Sequence, residues 1–298
     1  MSIIEKAFNK AKDQGDLPNV TQSSSNEKNE RVQPDLDDLP IESKAEKIEF
    51  SSKTNENHIA EIDWDKLAEL GFVTPGDSNT QTIEEYRNIK RPLVNNAFGE
   101  ASSGIERANL ILITSSLPGE GKTFTAINLA LSIANERDKK VLLIDADVAR
   151  PSISKTLGIQ SSPGLIEYLE GQDITFADIV LKTNMPGLKI IPAGKQHKHS
   201  TELLSSNRMI KLAQQLSTRY PDRIVIFDSP PLLAATQGQV LAELVGQVVL
   251  VIEAETTPQS MVMESVNKLA SCDVVLTVLN KAKSNNDASY YGYGQYAH

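Results

Sequence analysis

The chain has 298 residues, 40% of them hydrophobic, with 39 acidic side chains against 30 basic ones and a net charge of −9. This acidic balance argues against a broad nucleic-acid-binding surface, and the single cysteine, Cys272, excludes a disulfide framework and fits a reducing cytoplasm. No apolar run reaches the ~18 residues of a membrane span, and the N-terminus lacks a signal-peptide pattern.

The apolar residues are unevenly spread. Ile3, Ile4, Ala7, Phe8 and Ala11 recur at helical spacing and predict a short helix over 2–13, either a docking helix or a marginal one that frays. The run from Gln22 to Glu30 is too polar to offset its ordering entropy, so residues 1–81 are expected to form a polar, mostly disordered arm. Within it, Ile62 to Phe72 holds the only tryptophan, Trp64, and reads as a short helix closed by Gly71.

From residue 82 the pattern becomes regular, and a folded domain is expected over 82–283. It predicts a helix at 82–97, a strand at 109–114 and a helix at 122–136. Further buried strands are expected at 141–144, 188–192, 223–227, 247–252 and 273–279, with helices between them. Short apolar strands alternating with helices define the α/β class: a parallel sheet flanked by helices on both faces, here of the P-loop NTPase type. A flexible tail is expected over 284–298.

The strand at 109–114 runs into Ser115-Ser116-Leu117-Pro118-Gly119-Glu120-Gly121-Lys122-Thr123-Phe124. That is the layout of a phosphate-binding loop, which implies a nucleoside triphosphate, ATP, with Mg²⁺. Gly119 and Gly121 permit the backbone path, Lys122 reaches the phosphates and Thr123 offers its hydroxyl to the metal. Ser116, Pro118, Gly119, Glu120, Gly121, Lys122, Thr123 and Phe124 are therefore candidate nucleotide contacts. Ser116 stands where the full pattern has glycine. Leu117 stands where cell-division and plasmid-partition ATPases, which share this layout, carry a signature lysine.

Two further strands end in acids. Val141-Leu142-Leu143-Ile144 leads to Asp145-Ala146-Asp147, whose carboxylates leave the strand on one side. Ile224-Val225-Ile226-Phe227 leads to Asp228-Ser229-Pro230-Pro231. At the carboxyl edge of a parallel sheet all three acids face the nucleotide site, where they can hold metal or activate an incoming hydroxyl. Lys122, Asp145, Asp147 and Asp228 are the candidate catalytic residues, and Thr123 with the three acids the candidate metal set. Four of the seven tyrosines, Tyr290, Tyr291, Tyr293 and Tyr296, lie among glycines at the C-terminus. From Ser284 this tail spans about 50 Å at ~3.3 Å per residue, enough to reach a neighbouring subunit.

Together these motifs resemble the bacterial tyrosine kinases, the P-loop kinases of capsule and exopolysaccharide export, over about residues 82–298. Within that family the free-standing cytoplasmic kinases linked to exosortase-associated polysaccharide loci look most similar. The resemblance implies autophosphorylation in trans on Tyr290, Tyr291, Tyr293 and Tyr296. It implies a ring-like homo-oligomer through a Glu-x-x-Arg-x-x-Arg/Lys helix, matched here by Glu84, Arg87 and Lys90. It further implies a membrane activator of the chain-length-determinant type, an opposing tyrosine phosphatase, no nucleic-acid partner, and a cytoplasmic chain held at the inner face of the membrane through its partner. The family arginine two residues after the second acid is Ala149 here, with Arg150 next. Two other readings stay open: a P-loop ATPase switch, and a nucleotide-binding scaffold with little catalysis.

Overall fold

The alternation of apolar runs with amphipathic segments builds one mostly parallel sheet. A computed structural model of the chain describes residues 59–283, apart from 77–79, 100–101, 103, 137, 172, 197–198 and 220–221. The expected N-terminal helix at 2–13 and the tail tyrosines lie outside the described residues.

Among the described residues eight strands form the sheet: β1 (Ile59–Ala60), β2 (Leu110–Ser115), β3 (Lys140–Asp145), β4 (Leu181–Thr183), β5 (Leu188–Ile191), β6 (Arg223–Asp228), β7 (Gln247–Glu253) and β8 (Val274–Asn280). Their order is β1-β4-β5-β3-β6-β2-β7-β8. Every pairing is parallel except β4 with β5. The central strands are buried on both faces, so they read as unbroken runs of Val, Ile and Leu.

Alternate strand residues feed two cores. Leu110, Leu112, Leu142, Ile144, Val225 and Phe227 face one layer. That layer includes α5 (Leu165–Glu170), α6 (Phe176–Ile179), α8 (Asn207–Arg219) and α9 (Gln237–Ala242), as well as Leu269 at the end of α10 (Gln259–Lys268). Two short helices, α4 (Ile153–Leu157) and α7 (Ser200–Leu203), complete the set. Ile111, Ile113, Leu143, Ile224 and Ile226 face the other layer, made by α1 (Trp64–Glu69), α2 (Thr80–Phe98) and α3 (Lys122–Ala134). Burying these side chains, at roughly 1.5–3 kcal/mol each, is the main force that closes the fold.

The polar arm expected through residue 81 ends in structure. Ile59–Ala60 adds a strand beside β4, and Ile62, Leu67, Phe72 and Val73 are buried against the second core. Helix α1 has the expected place: Asp63 caps it by accepting the Lys66 N–H, and Gly71 follows at φ 81°. The packed body thus begins well before residue 82.

The sheet order sets the site. β2 and β3 are joined by α3, yet β6 lies between them. A crevice therefore opens at the carboxyl ends of β2, β3 and β6, the usual ligand position in an open α/β sheet.

Candidate active site

The phosphate loop occupies residues 116–121 between β2 and α3. Gly119 (φ 91°) and Gly121 (φ 95°) take the left-handed backbone that other residues resist. Gly121 is the N-cap of α3, and no side chain caps that end. The first-turn N–H groups are thus left to bind an anion, favoured further by the helix dipole.

Lys122 and Thr123 open α3 and meet the acids. Lys122 Nζ lies 2.8 Å from Asp147 Oδ2 and 4.0 Å from Asp228 Oδ1. Thr123 Oγ1 donates to Asp228 Oδ2 at 2.6 Å. Asp145 and Asp228 are paired across β3 and β6, and both are fully buried. Asp145 Oδ2 accepts the N–H groups of Ser152 and Ile153, each at 3.1 Å. Asp147 Oδ1 accepts from Arg150 N at 3.1 Å, and Ser152 Oγ donates to Thr123 Oγ1 at 3.2 Å.

Three carboxylates therefore share one lysine. Burial and the charge of Asp228 push Asp145 up to about 8, against the pull of the Ile153 and Ser152 N–H groups. Burial raises Asp228 to about 6, opposed by Lys122 and Thr123. Burial works against the Lys122 charge too, but Asp228 and Asp147 outweigh it and hold the lysine pKa above its usual value. Asp145 Oδ1 and Asp228 Oδ1 are buried without a hydrogen-bond donor among the described residues. This donor set fits a divalent cation that arrives with a nucleotide. Among the described residues no three acidic, histidine or cysteine side chains close into a metal cage, and Mg²⁺ bound through phosphates needs only one or two carboxylates.

The side chains of other expected nucleotide contacts are engaged within the protein. Ser116 is buried and its Oγ accepts from Ser265 Oγ of α10 at 2.9 Å, so its side chain braces the loop. The Phe124 ring packs against Phe72, with centroids 4.7 Å apart. Glu120, 2% exposed, accepts from Leu117 N at 2.7 Å and from the Thr257 hydroxyl. These two bonds hold the loop to itself and to the segment after β7. Pro118 and Gly119 lie at the rim.

On α2, Glu84 and Arg87 pair with each other on the exposed surface. Lys90 differs: its Nζ donates to Ser132 O at 2.8 Å and pairs with Glu136 at 2.8 Å, with only 12% of the side chain exposed. It braces α2 against α3 within the chain. Ala149 O accepts from Gln196 Nε2 at 2.7 Å, and Arg150 is exposed. Sequence reasoning missed Ser152, Thr257, Ser265, Asn280 and Lys281. For Thr257, Asn280 and Lys281 the available signal was polar residues following β7 and closing β8; Ser152, after β3, and Ser265, within α10, gave none.

The fold, the glycine path and the Lys122–Thr123–acid cluster define a P-loop nucleotide-binding domain. In agreement, the family described as AAA domain matches residues 108–272. Tyrosine-protein kinase YwqD of Bacillus subtilis (strain 168) is 33% identical over 213 residues, covering 71% of this chain and 86% of that protein. Tyrosine-protein kinase ptk of Acinetobacter johnsonii is 35% identical over 181 residues, covering 61% of this chain and 23% of that protein, so the match spans under a quarter of that longer relative. The solved kinase domain of the Escherichia coli tyrosine kinase ETK is 27% identical with a TM-score of 0.62, covering 79% of this chain and 94% of that structure. The chain belongs to the bacterial tyrosine-protein kinase family. Among the described residues no helix is long and apolar enough to cross a membrane.

Proposed function

We propose that the chain is an ATP-dependent protein-tyrosine autokinase that regulates exopolysaccharide polymerisation or export. It transfers the γ-phosphoryl group of ATP to Tyr290, Tyr291, Tyr293 and Tyr296 of a neighbouring copy. The observation that carries this reading is the meeting of Lys122 and Thr123 with three buried acids, two of them with raised pKa values and oxygens without donors.

Lys122 places its charge on the terminal phosphates, and the loop N–H groups hold the remaining oxygens. Thr123, Asp145, Asp147 and Asp228 are the residues that would hold Mg²⁺, which supplies positive charge on the phosphate oxygens when bound. One of the three carboxylates accepts the proton of the incoming tyrosine hydroxyl. Rate enhancement rests on positioning and charge stabilisation, as in phosphoryl transfer generally. The exposed Glu84 and Arg87 are available to a second subunit in a ring-like oligomer. A membrane protein of the chain-length-determinant type activates the chain at the inner face of the membrane, and a tyrosine phosphatase resets it.

The test is to incubate the purified chain with ATP and Mg²⁺, with and without the cytoplasmic end of such a membrane protein, and to map phosphate by mass spectrometry. Tail phosphotyrosine that disappears in Lys122→Met supports the kinase. ADP release without phosphotyrosine supports the ATPase switch, and neither product supports the scaffold. Transfer in trans is checked by mixing an active chain whose four tail tyrosines are changed to phenylalanine with Lys122→Met carrying an intact tail.

A further inference from the structure

The residues placed around Lys122 and Thr123 sit at the ends of β2, β3 and β6 and on α3, and leave the end of β8 without a role. Asn280 closes β8, and Lys281 follows with φ 57°, a left-handed backbone that lysine adopts only where its surroundings impose it. Both side chains turn to the phosphate loop. Asn280 Nδ2 donates to Glu120 O at 2.8 Å, and Lys281 Nζ donates to Gly119 O at 2.8 Å. Lys281 also pairs with Glu253 Oε2 at 3.0 Å, which ties it to the end of β7. The two carbonyls gripped are consecutive. In an anion-binding loop the carbonyls must face outward for the N–H groups to face the phosphates. The fit is close: a Cβ added to Gly121 would lie 2.1 Å from Asn280 Nδ2.

We propose that Asn280 and Lys281 are positioning residues that hold the phosphate loop in its anion-binding form from the β8 side. Because Lys281 also pairs with Glu253, the same two residues link the loop to the ends of β7 and β8. The inference rests on the nucleotide-binding reading above. Asn280 contributes the larger share, since it is partly buried, whereas the Lys281 side chain is 48% exposed and its bonds compete with water.

The test is titration of a fluorescent ADP analogue with Mg²⁺ into the full chain, joined to amide hydrogen exchange. Asn280→Ala is expected to weaken binding about fivefold, or about 1 kcal/mol, the usual net worth of one hydrogen bond. Lys281→Ala weakens it about twofold and Lys281→Arg, which keeps a donor, restores it. In the ligand-free protein Asn280→Ala speeds exchange at residues 117–121, and nucleotide slows exchange at 279–283 in the wild type but not in this variant. Leu279→Ala, at a neighbouring side chain 63% exposed, controls for damage to the strand and keeps wild-type affinity. The inference is overturned if Asn280→Ala binds like the wild type, if Leu279→Ala weakens binding as much, or if nucleotide leaves 279–283 unchanged. A wild-type chain that binds no nucleotide sinks the functional reading, while ligand-free exchange at 117–121 still decides the clamp.

Discussion

Asp145→Asn separates what the site does for catalysis from what it does to stability. Asp145 is fully buried beside Asp228, and its pKa is pushed up from 3.8 to about 8. The folded state therefore holds a proton that the unfolded state releases, so this contribution to stability is present below about pH 4 and is lost as pH rises through about 8. At pH 7 the gap of about three units converts to roughly 4 kcal/mol at 1.36 kcal/mol per unit, an upper bound once the site relaxes. Asparagine keeps a carbonyl for the Ser152 and Ile153 N–H groups and is neutral at every pH, so folding no longer has to take up that proton. The expected result is a ligand-free variant about 2–4 kcal/mol more stable at pH 8, with the gain fading towards pH 4. Phosphotransfer falls about 100-fold or more, in keeping with loss of a general-base or metal-binding group. Urea unfolding from pH 4.5 to 8.5, alongside a phosphotyrosine assay, measures both. Identical pH slopes for the two proteins, or a less stable variant at pH 8, would refute the electrostatic argument.

Lys122→Met removes the counter-charge of buried acids, so it should abolish nucleotide binding by calorimetry and destabilise the ligand-free chain by about 3 kcal/mol in urea. Glu120→Ala leaves the Leu117 N–H and the Thr257 hydroxyl without their acceptor, and is expected to cost about 1–3 kcal/mol and to raise KM for ATP more than it lowers kcat. Gly121→Ala imposes a side chain at φ 95° against Asn280, with an expected loss of roughly 2 kcal/mol or more in thermal unfolding and of most nucleotide affinity. A chain ending at Lys283 keeps the described core, so it should fold and bind nucleotide in the same titration while giving no tail phosphotyrosine.

The central strands were legible because burial on both faces leaves continuous apolar runs. The strand expected at 223–227 is β6 at Arg223–Asp228, and that expected at 247–252 is β7 at Gln247–Glu253. β1 and β4 were not legible: two and three residues are too few to display a period, and they exist because a neighbour supplies their ladder. Within the site, Lys122, Thr123, Asp145, Asp147 and Asp228 were legible because they end a strand, open a helix or, for Asp147, follow a strand end by two residues. Ser116 was read as a departure from the glycine pattern, yet only the fold brings Ser265 to its hydroxyl from 149 positions away. Glu120 could not be told from a phosphate-facing residue, since its partner Thr257 is equally remote. Lys90 shares a helix stripe with Glu84 and Arg87, and spacing alone does not reveal that α3 lies under one end of it.

The insertion of β6 between β2 and β3 also governs when the protein becomes competent during synthesis. The phosphate loop and Asp145 leave the ribosome early, but the strand that joins their sheet neighbourhoods follows about eighty residues later, with β7 and β8 later still. Until then a nascent chain carries the loop without Asp228, without the Thr257 and Ser265 braces and without the Asn280 contact. Such non-local pairing forms slowly. Nucleotide capture is thus deferred until β8 has emerged, since Asn280 follows its loop partner Glu120 by 160 residues.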